Sequence, residues 1–442
     1  MRSSIWTALH GIFLVISSTP TAGLPQLQTN IPRAASTTPM VFAHYMIAFQ
    51  PPNLDYTNDI KLAKAAGIDA FAVDYGGWSS GLPYFAHYLD VFYKTAEKLD
   101  FKLFLCMDVT SGLPGADMVV NLTNFYAGSS AQMKDAAGNI FLSSFENDAP
   151  PWNWQTDVVD KINAPVTFLP GTLSEDAEYT ASTNQGYGPF TWVHPASSVS
   201  QENDTDTAFA AQRDANGNPW MAGIAPWFFR RTASDMNWFH AQDSSIWVNR
   251  WVDLLNLKPN YIEIVTWNDF SESTYIGPSD RTPASVLKEP TTTDYYGNLD
   301  HTAFLKMTSF FVKAFKAGQT QVTVDPSEED VFMFYRLQPV NAMGSDSSYP
   351  DNAWPLPKNA SYIQDNVYIV SFLASDATVY LSSGGQPWQM DASAGVSKGT
   401  VAFTLGDQIL TASRDIQGAV LNKTGPPIQG QLQRYQGNIV AI

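Results

Sequence analysis

Along the chain, short apolar runs alternate with stretches of helical period. The runs are VFAHYMI (41–47), DAFAVDY (69–75), KLFLCMD (102–108), NIFLSSF (139–145), PVTFLP (165–170), GPFTWVH (188–194), WMAGIAPW (220–227) and YIEIVTWND (261–269). Between them, NDIKLAKAAG (58–67) places Ile60, Leu62, Ala63 and Ala66 on one face and stops at Gly67. SIWVNRWVDLLNL (245–257) and DHTAFLKMTSFFVKAFKAG (300–318) are amphipathic in the same way. Runs this apolar suit strands covered on both faces. Eight strand–helix alternations predict an α/β fold, a closed (β/α)8 TIM barrel over residues 38–320. Past residue 320 the pattern changes to TVDPSEEDVFMFYRL, NVYIVSFLA, TVYLSS, VAFTL and AVLNKT, short β runs separated by turn residues. That texture predicts an all-β, sandwich-like domain over 321–442, packed on the barrel without a long linker.

A barrel places its chemistry at the C-terminal ends of its strands, so the last polar residues of each run are the site candidates. They are His44, Asp74, Asp108, Glu146, Trp192, His194, Trp227, and then Trp267, Asn268, Asp269 and Glu272. Two carboxylates at the exit of an apolar run need a reason, because charge is costly to desolvate. Strand parity sends Ile262, Ile264 and Thr266 outward, and Glu263, Val265, Trp267 and Asp269 inward. Asp269 then stands at the barrel top, while Glu263 sits low as a hydrogen-bonded structural acid. A pair of carboxylates flanking a glycosidic bond can cleave it, one protonating the leaving oxygen and the other activating water or attacking directly.

Composition narrows the chemistry further. The 442 residues are 44% hydrophobic and 13% aromatic with a net charge of −17, enough for a large core and the wrong sign for binding nucleic acid. Thirteen Trp and nineteen Tyr suit sugar faces, and a neutral sugar polymer is not repelled by the acidic surface. No HExxH, Gly-rich phosphate loop or GxSxG occurs. His44, Asp74 and Asp108 have donor types a metal accepts, but a sugar-binding barrel mouth uses the same types. They are read as sugar-binding groups, with no metal or cofactor. The single cysteine, Cys106, lies in an apolar run and reads as a buried small hydrophobe. MRSSIWTALHGIFLVISSTPTAG (1–23) has the basic, apolar and small-residue regions of a secretory signal, and no later stretch is apolar enough to span a bilayer. Sequons at Asn121, Asn203, Asn359 and Asn422 are plausible N-glycan sites that would mark exposed loops in a secreted or cell-wall protein.

These motifs, in this order, resemble fungal glycoside hydrolase family 71, the α-1,3-glucanases or mutanases. VFAHYMIAF, DIKLAKAAGIDAFAVDYG, FKLFLCMDVT, IFLSSFEN and MAGIAPWFFRR are similar to its successive segments. WVNRWVDLLNLKPNYIEIVTWNDFSESTYIGP, followed by DHTAFLKM, is the most specific of them. The resemblance implies a secreted, endo-acting, inverting hydrolase of α-1,3-glucan whose acidic pair falls on Asp269 and Glu272, with Tyr275 in the same segment among the substrate-binding residues. We assign Glu272 as the acid and Asp269 as the base. The family segment WNDYGESHY is WNDFSESTY here, with Phe270, Ser271 and Thr274 in place of Tyr, Gly and His, and Asp74 stands where the family has Asn. Those changes keep open two alternatives: a catalytically silent α-glucan-binding protein, or a hydrolase of another α-glucan linkage.

Overall fold

The computed structural model describes residues 38–76, 82–111, 115–145, 152–174, 187–192, 199–231, 236–238, 246–279, 299–358, 360–414 and 421–442. The stretch expected to be a secretory signal, 1–23, lies outside them, as do Glu146, His194 and Asn359.

The barrel strands are β1 Met40–Met46, β2 Ala70–Gly76, β3 Lys102–Asp108, β4 Ile140–Phe145, β5 Val166–Leu169, β6 Gly171–Thr172, β7 Phe190–Thr191, β8 Met221–Ile224 and, after a short hairpin (β9 Phe229–Arg231, β10 Met236–Trp238), β11 Tyr261–Ile264. They form one parallel sheet in the order β5-β4-β3-β2-β1-β11-β8-β7-β6. All eight expected runs are present, and the ninth strand has a simple origin. β5 and β6 are one run interrupted at Pro170, which has no N–H to give to a ladder. Its carbonyl still accepts from Phe190 N at 2.8 Å, and Gly171 N turns to Ser144 Oγ at 3.1 Å. The two open edges of the sheet therefore flank the single residue Pro170, and the ring closes as eight.

Around it lie α1 Thr57–Ala65, α2 Leu82–Lys98, α3 Ala116–Tyr126, α4 Val199–Asn216, α5 Ile246–Leu257 and α6 Thr302–Lys316, with helical turns Trp154–Val158 and Val159–Lys161 after β4. Alternation within each strand divides two cores. Phe42, Ala70, Ala72, Phe104, Cys106, Phe141, Phe190, Met221, Tyr261 and Val265 fill the interior. Val41, Ala43, Tyr45, Phe71, Val73, Leu103, Leu105, Ile262 and Ile264 face the helices. A buried ion pair fastens this outer layer: Arg250 on α5 holds Asp206 on α4 through 2.6 and 3.2 Å bonds, and its Nε donates to the Gly223 carbonyl on β8.

The remaining strands are β12 Asp330–Arg336, β13 Asn366–Leu373, β14 Ala377–Ser383, β15 Gln386–Ala392, β16 Gly395–Ala402, β17 Gly406–Ser413, β18 Leu421–Ile428 and β19 Ile439–Ala441. They form two antiparallel sheets, β16-β13-β12-β19 and β15-β14-β17-β18. Val331, Met333, Val367, Ile369, Val379, Leu381 and Leu410 make the core between them. The first sheet is covered on its other face too, where Phe372 stacks on Phe310 of α6 at 4.3 Å and Phe334 meets Phe304 at 5.2 Å. Of the sequons, Asn121 lies on the exposed side of α3 and Asn422 is exposed on β18, while Asn203 falls within α4, so these sit in regular elements rather than in loops.

Candidate active site

The site starts from strand parity. On β1, residues 42 and 44 point inward; on β2, 72 and 74; on β3, 104, 106 and 108. The same alternation that packs Phe42, Ala72, Phe104 and Cys106 inside therefore delivers His44, Asp74 and Asp108 to the top of the barrel. Register sets the heights: Glu263 pairs at the level of Phe42, and Asp74 at the level of Met46. His44 lies between them, its Nδ1 2.8 Å from Glu263 Oε1 and its Nε2 3.2 Å from Asp74 Oδ2.

All three groups are buried, and each environment moves a pKa. For His44, burial disfavours the imidazolium, but hydrogen bonding to Asp74, Cys106 and Glu263 prevails and holds it well above the usual histidine range. Burial raises both Asp74 and Glu263, against the opposing pull of His44. Asp108 is pushed up to about 7, by burial first and then by the charge of Asp74. Its Oδ1 accepts from Thr110 N, Thr110 Oγ1 and Ser111 N at 3.0, 2.7 and 3.1 Å. The Trp192 ring stands edge-on to His44, 4.9 Å between centroids, and walls the mouth together with Phe145.

Above this column runs the acid loop, residues 266–277. Its two arms pair with each other: Thr266 N donates to the Thr274 carbonyl, Ile276 N to Thr266 and Gly277 N to Trp267, at 3.0, 3.0 and 2.9 Å. The Thr266 and Thr274 hydroxyls are 3.1 Å apart. A Cβ on Gly277 would stand 2.7 Å from the Trp267 carbonyl, so the arms close only because this residue is glycine. The loop is also fixed to β1. Trp267 N donates to the His44 carbonyl at 2.7 Å, and Asn268 accepts from Met46 N while donating to the carbonyls of Met46 and Phe49.

That framework presents two carboxylates in unequal surroundings. Asp269 is 6% exposed; its Oδ1 accepts from Ser271 Oγ at 2.6 Å and Glu272 N at 3.0 Å, while its own N–H donates to Thr266 Oγ1. Burial holds its pKa above the usual carboxylate range, against the opposing pull of those hydrogen bonds and the His44 charge. The Glu272 side chain is 28% exposed, with Oε1 3.9 Å from Arg230 Nη1. Burial and then the Asp269 charge push it up to about 8, against the Arg230 and His44 charges.

Several residues expected at the mouth lie elsewhere. Trp267 is 0% exposed in the outer layer, against Phe71 at 5.0 Å. The ladder ends at Ile264, so strict alternation stops and the expected inward orientation of Trp267 fails. Trp227 donates Nε1–H to the Gly437 carbonyl at 3.1 Å. Tyr275 is fully buried, stacks on His301 and donates to the Leu299 carbonyl. Asn268 is wholly occupied by backbone. Arg230 is the neighbour of the pair that sequence reading missed, and Ser271, noted there as a departure from the family segment, is a hydrogen-bond donor to Asp269. For Arg230, two consecutive arginines after the seventh strand of an acidic chain were the available signal.

The family model for glycosyl hydrolase family 71 matches residues 37–441. The chain belongs to glycosyl hydrolase family 71. Among the family 71 relatives, a mutanase from Penicillium rubens is 25% identical over 98% of this chain and 95% of its own. The glucan endo-1,3-α-glucosidase agn1 of Schizosaccharomyces pombe is 26% identical over 90% and 93%. The ascus wall endo-1,3-α-glucanase of the same yeast is 24% identical over 87% and 89%. Among solved structures, the family 99 endo-α-mannosidase of Bacteroides thetaiotaomicron aligns with a TM-score of 0.50 and 14% identity, covering 63% of this chain and 98% of its own. At that identity the likeness speaks for the fold alone.

Proposed function

We propose that this family 71 chain hydrolyses α-1,3-glucosidic bonds of glucan within the polymer, with Glu272 as general acid and Asp269 as the base that activates water. The observation that carries the roles is the unequal treatment of two neighbouring carboxylates. Of two acids both raised by burial, the one whose anion is hydrogen-bonded is the better base. Glu272, raised to about 8, keeps its proton at neutral pH and has one to give to a leaving oxygen. Asp269 has one oxygen engaged by Ser271 Oγ and Glu272 N, which favours the anion and leaves Oδ2 for water. His44 lowers the pKa of both acids through its charge, so a buried imidazolium beneath the pair assists whichever member is ionised. Trp192 offers an apolar face beside that centre. The named activities of the relatives support α-1,3-glucan as substrate and endo action. Inversion, secretion through residues 1–23, and residence at the cell wall complete the reading.

The test is reducing-sugar release from α-1,3-glucan beside starch, dextran and β-1,3-glucan. Activity confined to α-1,3-glucan, lost by about 10²–10⁴-fold in Asp269→Asn and Glu272→Gln, supports both the linkage and the pair. Binding without turnover on every glucan would sink the hydrolase reading. Release from another α-glucan would move the linkage. Proton NMR of the first-formed anomer reads the stereochemistry, and a retained anomer would overturn the water-activating role of Asp269.

A further inference from the structure

The last residues of the chain reach the acid loop. Just before β19, the Gly437 carbonyl accepts from both Trp227 Nε1 and Trp238 Nε1, each at 3.1 Å. Gly437 cannot carry a side chain here, since a Cβ would stand 2.4 Å from the Phe229 ring. Phe229 N, in turn, donates to the Glu272 carbonyl at 2.9 Å. One residue further, Asn438 Nδ2 donates to the Tyr275 hydroxyl at 3.1 Å, and that hydroxyl donates to the Leu299 carbonyl at 2.8 Å. Asn438 Oδ1 accepts from Ile439 N and lies 3.0 Å from His301 Nε2. His301 stacks on Tyr275 at 4.0 Å and 9°, with Nδ1 2.8 Å from the Tyr275 carbonyl. Tyr275, His301 and Asn438 are each 0% exposed.

We infer that Gly437 and Asn438 are positioning residues of the active site, Gly437 holding Glu272 through Phe229 and Asn438 holding the far arm of the acid loop through Tyr275. The inference rests on the proposed function for what the loop does, but not for how it is held. It makes the C-terminal strand part of the catalytic apparatus rather than a separate attachment. The physical basis is that a buried donor or acceptor left without its partner costs its full desolvation, so the Phe229–Glu272 and Asn438–Tyr275 hydrogen bonds favour one position of the loop. A displacement of about 1 Å at a catalytic group can cost on the order of 10²-fold in rate.

A merely adhesive tail would lower stability and leave turnover per folded molecule unchanged. The test therefore compares Gly437→Ala, Asn438→Ala, Tyr275→Phe and the Asn438→Ala/Tyr275→Phe double variant with the full chain. Lys423→Ala serves as control; its ion pair with Asp330, at 3.2 Å, lies in the sandwich. Amide exchange of peptides covering 266–277 is measured where each variant is folded by circular dichroism. Soluble α-1,3-gluco-oligosaccharides supply kcat and KM. Exchange in the loop should rise about tenfold in Gly437→Ala and Asn438→Ala while β1 to β4 stay protected. The kcat should fall about tenfold or more with KM little changed, which marks a loss confined to the transition state. Adding Tyr275→Phe to Asn438→Ala should do little more, because both act through one hydroxyl. Loop exchange and kcat as in the wild type, or additive losses matched by the Lys423 control, would overturn the inference. An inactive wild type would refute the proposed function instead, and the exchange data would still decide how the loop is held.

Discussion

At the scale of single residues, the site depends on how hydrogen bonds are shared between two carboxylates. Asp269 receives a hydroxyl from Ser271, a position where the family segment has glycine. Ser271→Ala removes the strongest bond favouring the anion, so the acidic limb of kcat/KM should move to higher pH while the plateau changes by less than about tenfold. An unshifted limb would remove Ser271 from the account. Glu272, raised to about 8, sets the basic limb, which should fall near that pH in the free enzyme. The direction of a second effect is also fixed. The Asp269 charge raises Glu272, so Asp269→Asn should bring the Glu272 titration down, as read by carboxyl NMR with labelled glutamate. No downward movement would mean that burial alone sets it.

At the scale of elements, the strands and their parity were legible in the sequence because two-sided burial writes itself as apolar runs with period two. His44, Asp74 and Asp108 followed as the last polar residues of their runs, and only Glu263 and Asp269 from parity. Trp267 did not: it stands beyond the last ladder residue, where loop pairing rather than alternation decides which way a side chain turns. Trp227 and Tyr275 were misplaced for a different reason, since their partners Gly437 and Asn438 are far along the chain and no local pattern announces them. β15, β17 and β19 were not among the expected runs; β15 has a single buried position and exposes Gln386, Gln389 and Asp391, and β19 is three residues long. The helix layer offers a sharper test. The side chains of Arg250 and Asp206 are each 1% exposed, so Asp206→Ala strands a buried guanidinium and should cost about 3–5 kcal/mol in chemical denaturation. A loss near zero would mean that water reaches Arg250.

At the scale of the whole molecule, the barrel and the sandwich share aromatic packing through α6, and residues 33–442 form one compact unit. A fragment ending at residue 320 would bare Phe304, Phe310 and Phe334's former contact surface, and should be recovered aggregated rather than as an active barrel. The buried acids also set a pH window for stability. Asp108 at about 7 and Glu272 at about 8 hold protons in the folded state that the unfolded chain has released. Their stabilising contribution is complete below the ordinary carboxylate range, declines from there as pH rises, and is gone above those values. His301 is pushed down to about 4 by burial, so its contribution is complete above the ordinary histidine range, declines as pH falls below it, and is gone near pH 4. The melting temperature should therefore fall as pH rises from the ordinary carboxylate range, most steeply near pH 7 where the opposing His301 contribution is complete, and level off above about 8; a flat profile up to that pH would contradict these assignments.

The interruption at Pro170 has a further consequence. The ring has a seam around β7, which meets β6 and β8 through two residue pairs each, whereas β2 meets β3 through seven. Water should enter the interior first along that seam rather than between the strands nearest the chain ends. Cys106, the only cysteine, lies inside the ring with its thiol pushed up to about 12 by burial. It can meet a thiol reagent only when the wall parts. The chain thus carries its own clock, and the labelling rate of one sulfur would time how often the barrel breathes.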